Sequence, residues 1–224
     1  MNRTPHSSRK FQILSIAAVL AVLIAVTGAL IGGQAESRKS VPEPDSIDAV
    51  AAKLAEAQAL DRTRINVDLA AAAEVAHEHL GLTLQGLASA VPLHEGAQPV
   101  RATQGDVDQW KQNLADAASA LEAVEEGTSE QAVTREAFIG AAQLLHSAAV
   151  AYEILLADPA DKQQANATTV AERRDTAVRL WQAGAAQLDT LVIESGKGHV
   201  HVFLSPNGDP EDVPEEFRGV EGHE

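Results

Sequence analysis

The chain has 224 residues, of which 45% are hydrophobic and only 3% aromatic, and it carries a formal net charge of −15. Its apolar residues are mostly Ala, Leu and Val. Because Ala and Leu are strong helix formers, an all-α body is the first expectation. The absence of Cys excludes disulfides, thiolate metal sites, Cys nucleophiles and covalent haem attachment, and Met1 is the sole Met, so a thioether ligand is excluded too.

The basic residues Arg3, Arg9 and Lys10 precede an apolar run, Ile13–Gly33, interrupted only by Ser15, Thr27 and glycines. About 21 residues at 1.5 Å each reach roughly 30 Å, the thickness of a bilayer core, which makes residues 13–33 a candidate transmembrane signal anchor. Three basic groups before the span against Arg38 and Lys39 after it place residues 1–12 in the cytoplasm and the body outside it. Gly33-Gln34-Ala35 resembles a signal-peptidase site, so cleavage after Ala35 would give a secreted form.

All 32 acids follow residue 35, where they face 14 basic groups, a formal −18. Such a surface repels phosphate backbones, so nucleic acid is not an expected partner.

Residues 34–45 form a stalk in which Pro42 and Pro44 resist helix. A bundle is expected over 46–195. The first helix shows apolar spacing at Ile47, Val50, Leu54 and Ala57, then at Ile65, Leu69, Ala73, Ala76, Leu80, Leu84, Leu87 and Val91. The stripe lapses at Asp61-Arg62-Thr63-Arg64, where a bend or a change of partner is expected. Pro92 ends the element.

A second helix carries Val107, Trp110, Leu114, Ala117, Leu121 and Val124, with Gly127 as its stop. Thr128-Ser129-Glu130-Gln131 resembles a capping box and opens a third helix bearing Phe138, Ala141, Leu145, Ala148, Tyr152 and Leu155. Asp158-Pro159 separates it from a fourth, with Val170, Ala177, Trp181, Gly184, Leu188 and Leu191.

Short links force antiparallel neighbours, and an up-down-up-down four-helix bundle follows. Counting rise along each helix puts Trp110 and Tyr152 both roughly 6–8 Å from the membrane-distal end, and Phe138 and Trp181 both roughly 28–31 Å from it. Two aromatic pairs are therefore expected. Residues Ile47–Leu60 should project below the bundle, unless the lower half of the fourth helix covers them.

Residues 196–224 form an acidic tail. His199-Val200-His201-Val202-Phe203-Leu204 alternates like a strand, and the residues from Asp209 onward have a disordered composition.

No catalytic signature is present, and a non-enzymatic protein is expected. His77-Glu78-His79 lacks the second His that a zinc protease needs one turn later, that place being Gly81. Three readings remain. The first is an interaction or accessory subunit of an envelope or membrane complex. In that reading Ile47, Val50 and Leu54 on the projecting helix, and Val200, Val202 and Phe203 on the strand-like segment, meet a protein partner or a second copy.

The second is an exported bundle holding iron, copper or zinc. Glu74 and His77 have the carboxylate-x-x-His spacing of di-iron bundles, and His146 falls at a similar height. Only one such motif exists, however, and Arg173 and Arg174 lie near. His199 and His201 share one face of an extended segment and could chelate a transition metal instead. The third reading is a ligand-sensing bundle.

Overall fold

The computed structural model describes residues 47–213 except Glu95 and Asp158. The chain divides between Asp48 and Ala49, and the account below concerns the second unit. The expected anchor at 13–33, the stalk and the last eleven residues lie outside the described residues.

Four helices make up the body: α1 (Ile47–Ala90), α2 (Gln104–Glu122), α3 (Ser129–Ala157) and α4 (Ala160–Glu194). A single 3-10 turn, Pro210–Asp212, follows, and no strand forms among the described residues. The molecule is an all-α bundle.

Most of the apolar stripe that the spacing predicts is buried on each helix, the exception being the start of α1. On α1, Ile65, Leu69, Ala73, Ala76, Leu80, Leu84 and Leu87 are at most 2% exposed. Val107, Trp110, Leu114, Ala117 and Leu121 of α2 meet them, as do Phe138, Leu145 and Tyr152 of α3 and Val170, Trp181 and Leu188 of α4. Burying a residue of Val or Leu size contributes about 1.5–3 kcal/mol relative to leaving it in water. The alanines between them let the helix axes approach closely.

Residue pairs fix the directions. Trp110, near the start of α2, packs on Tyr152, near the end of α3, with ring centroids 5.6 Å apart. Phe138 of α3 packs on Trp181 of α4 at 4.4 Å. These are the two expected aromatic pairs. Asn66 near the base of the α1 core bonds Leu191 near the end of α4, while Arg174 of α4 reaches the Val91 carbonyl at the other end of α1. Chain neighbours thus run antiparallel, and α4 returns antiparallel to α1.

The ends are set by local chemistry. Thr103 and Asp106 cap α2 reciprocally, a box not anticipated from the sequence. Thr128 and Gln131 form the expected box before α3, with Thr128 N donating to Gln131 Oε1 at 2.8 Å. Gly86 admits the Trp110 indole, because a Cβ at that position would overlap its Nε1–Cε2–Cζ2 edge.

α3 is long and apolar enough to cross a membrane, with mean hydropathy 1.4 in its most apolar window. Length and composition alone give that result, and 44% of the window is buried inside the bundle, as in a core helix of a soluble protein.

The segment after α4 differs from expectation. Its alternation is real, but it pairs with no strand. Val200, Val202 and Leu204 are at most 8% exposed and join the same hydrophobic core as the helices. Side chains from both flanking helices bind its backbone. Trp181 Nε1 donates to the Val202 carbonyl, Gln182 Nε2 to that of Leu204, and Asp189 accepts from Val200 N at 2.9 Å. From α1, His77 Nε2 donates to Phe203 O at 3.0 Å and Gln85 to Gly208 O at 3.2 Å.

The segment therefore runs along the α1–α4 groove as a strap, in the direction of α1. An apolar alternation of two needs only an extended backbone with one covered face, which a groove supplies as well as a sheet does. The strap ends in an ordered turn, where Gly208 sits at φ +72° with its Cα against the Gly81 carbonyl, a place that excludes any larger residue. Ser205, Asn207 and Asp209 bond one another there, and Val213 is buried.

Candidate interaction surface

Helix α1 outruns the rest of the bundle. Its 44 residues span about 66 Å at 1.5 Å per residue, yet its buried stripe begins only at Ile65. Every residue from 50 to 62 is exposed. Ile47 is 81% exposed; within the second unit Val50 is 52% exposed, Leu54 58% and Leu60 67%, so the lower half of α4 does not cover these three. The helix itself does not break at Asp61–Arg64; what changes there is that it leaves the core of the described bundle.

A polar plug closes the bundle at that level. Asn66 Nδ2 donates to Leu191 O at 2.8 Å and to Ser195 Oγ at 2.7 Å. Gln131 Nε2 donates to Asn66 Oδ1 at 2.6 Å and to Arg62 O at 2.8 Å. Both carboxamides are buried, at 4% and 2% exposure, and both have all their hydrogens used. Arg64 fans outward over the same level to Asp61, Asp68 and Glu125 at 2.7–3.0 Å. Hydrogen bonds donated to Asp61 first, then to Glu125, raise its pKa, so the guanidinium is a fixed positive point.

The projecting turns need this root. An isolated helix of about 12–15 residues is marginal in water, chiefly because its first turn must be nucleated. Continuing from a locked bundle removes that step, and six alanines among residues 49–59 favour propagation. Ile47, Val50 and Leu54 follow i, i+3, i+7 spacing, the pattern by which a helix lays anchors into a partner's groove. Asp48, Lys53 and Glu56 give residues 47–60 a formal charge of only −1, in a chain that is otherwise strongly acidic.

The second set of expected contact residues lies elsewhere. Val200 and Val202 are buried against the chain's own helices and Phe203 is partly buried there, so this face is occupied from within. The outward side of the strap shows His199 and His201.

The expected metal ligands are not gathered. Glu74 is exposed, while His77 is half-buried and engaged with the strap carbonyl. His146 is exposed on the outside of α3 rather than facing inward. Arg173 donates to Ser147 O at 2.9 Å, and Arg174, 1% exposed, donates to Val91 O and pairs with Asp175. His199 Nδ1 lies 3.2 Å from Asp189, and the His199 and His201 rings stack with centroids 6.2 Å apart and planes within 14°. Among the described residues no group of three or more His, Asp or Glu is placed to hold a metal ion.

The sequence marked Gln131 as a capping residue but held no signal for its burial against Asn66 or for the strap's clamps, since polar residues within helices are usually solvated. The chain matches no protein-family model, and neither a curated protein nor a solved structure shows significant similarity to it.

Proposed function

We propose that the protein is a non-enzymatic interaction subunit, tethered to the cell membrane by residues 13–33 with its bundle outside the cytoplasm. The projecting end of α1 docks a neighbouring helical membrane or envelope protein or a second copy. The observation that carries this reading is the helical extension itself, four turns long and exposed on every side, with Ile47, Val50 and Leu54 in register on it. Among the described residues, those from 50 to 62 are exposed and stand outside the hydrophobic core. Their place directly after the stalk would hold them close to the membrane surface, where a neighbouring subunit's own helices emerge.

A photo-crosslinking residue at position 50 in the full chain, followed by mild detergent extraction and mass spectrometry, tests the reading. A stoichiometric adduct is expected, lost in a Leu54→Asp variant. A lone monomer at every crosslinking time overturns it. A reporter fused after Glu224 should be active outside the cytoplasm; activity in the cytosol overturns the topology.

A further inference from the structure

The end of the bundle opposite the extension holds a cavity of about 430 Å³, bounded by the α1–α2 loop and the facing ends of α3 and α4. Its volume lies in the range of small-molecule sites. Val91, Pro92, Pro99 and Leu155 give it an apolar lining, while His94, Arg101, Gln163 and Gln164 supply the polar groups. Among the described residues no acid lines it, although the chain has 32 acids against 17 Lys and Arg. Arg101 brings a positive charge to this cavity, which favours an anion there.

Two donors are available there. Tyr152 is 1% exposed and its hydroxyl accepts from Ala102 N at 3.0 Å, which leaves the hydroxyl hydrogen without an acceptor among the described residues. A buried donor in that state costs free energy until an acceptor arrives. Arg101 is fixed by one bond, from Nη2 to Leu156 O at 2.8 Å, and its other N–H groups have no acceptor among the described residues. The Ala102 bond and a Val100 N to Ser89 O bond of 2.8 Å hold the loop that carries Arg101 beside the ring of Tyr152.

We propose that this cavity binds a small monocarboxylate with an apolar body. The carboxylate accepts from Tyr152 Oη and from the Arg101 guanidinium, and the body lies against Val91, Pro99 and Leu155. One permanent cation and one neutral donor match a singly charged headgroup. This site is independent of the docking surface and stands or falls without it.

The full chain in mild detergent, titrated calorimetrically with phenylacetate, tests the proposal, with phenylacetamide and acetate in parallel. Saturable one-to-one binding of phenylacetate is expected, at least about tenfold tighter than either control, because only it offers both charge and apolar body. Arg101→Gln and Tyr152→Phe should each weaken binding about tenfold with helix content unchanged. Absence of saturable heat with phenylacetate overturns the proposal. So does acetate or phenylacetamide binding as well as phenylacetate, or affinity indifferent to Arg101→Gln. That variant, on an exposed loop residue, decides the matter even if Tyr152→Phe perturbs the fold.

Discussion

The carboxamide oxygen of Asn66 accepts a hydrogen bond from Gln131 at 2.6 Å, joining two buried side chains 65 residues apart in the chain. Through it α1, α3 and the end of α4 share one network, at the level where the core stops and the exposed extension begins. Buried amides with every hydrogen placed tolerate one arrangement only, so they set the register of the helices around them. Replacing one partner strands the other. Asn66→Ala should therefore destabilise the bundle by about 1–3 kcal/mol. The double variant with Gln131→Leu should cost less than the sum of the single changes, as urea unfolding followed by circular dichroism would show.

Removing the strap's anchor should weaken the whole bundle rather than only free a tail. Leu204 is 2% exposed, and Leu204→Ala should cost about 2–5 kcal/mol. Backbone amides of α1 around His77 and of α4 around Trp181 should exchange faster in this variant, since the strap closes the groove between them. Hydrogen exchange confined to residues beyond 196 would contradict the strap's part in the core.

The contact of Gly86 with Trp110 sets two tendencies against each other. An alanine is worth up to about 1 kcal/mol in a helix interior relative to glycine. Here its Cβ would overlap the indole, and overpacking of this kind costs about 1–3 kcal/mol. Gly86→Ala should come out destabilising. In a Trp110→Leu background the same change should turn neutral or stabilising, a reversal of sign readable from the thermal midpoints.

The capping of α2 gives the acid side of the stability profile a defined contribution. Thr103, through its backbone N–H first and its hydroxyl second, holds the Asp106 carboxyl below the ordinary Asp range. A carboxyl whose folded pKa is lowered contributes stability that is fully present above its unfolded value of about 3.9 and is lost as pH falls through the lower, folded value. Glu153 behaves alike, lowered by Lys111 first and Gln104 second. An Asp106→Asn variant should match the parent more closely at pH 2 than at pH 6. Urea midpoints across that range check it, and an equal offset at every pH would count against the cap.

The extension should be separable from the fold. Val50 and Leu54 are more than half exposed, so Val50→Ser and Leu54→Ser should each shift stability by no more than about 0.5 kcal/mol. An unfolding shift of several times that size would mean that something already packs on this face of α1 in the isolated chain.

Much of the fold could be read from spacing. The stripes from Ile65 to Leu87, Val107 to Leu121 and Phe138 to Tyr152 are buried as their periodicity predicts, because a helix that turns every 3.6 residues has one way to hide them. The heights of Trp110, Tyr152, Phe138 and Trp181 followed from rise alone. The projection of residues 47–60 was expected too, but whether the fourth helix covers them was left open by the sequence and is answered by the exposure of Val50 and Leu54.

Other features depended on which surfaces meet. Whether Val200, Val202 and Leu204 cover a partner or their own groove could not be decided by alternation, which is identical in either case. Nor did height place His146 inward, because the angular position of a residue at the edge of a stripe depends on how its helix is rotated in the bundle. Spacing assigned Asn66 no part and offered other parts for His77 and Gln131, and only the approach of groups from distant parts of the chain gives each its long-range bond. Periodicity is a property of one helix at a time and determined the stripes; hydrogen bonds across the bundle require two backbones at one place, and the tertiary structure alone decided those.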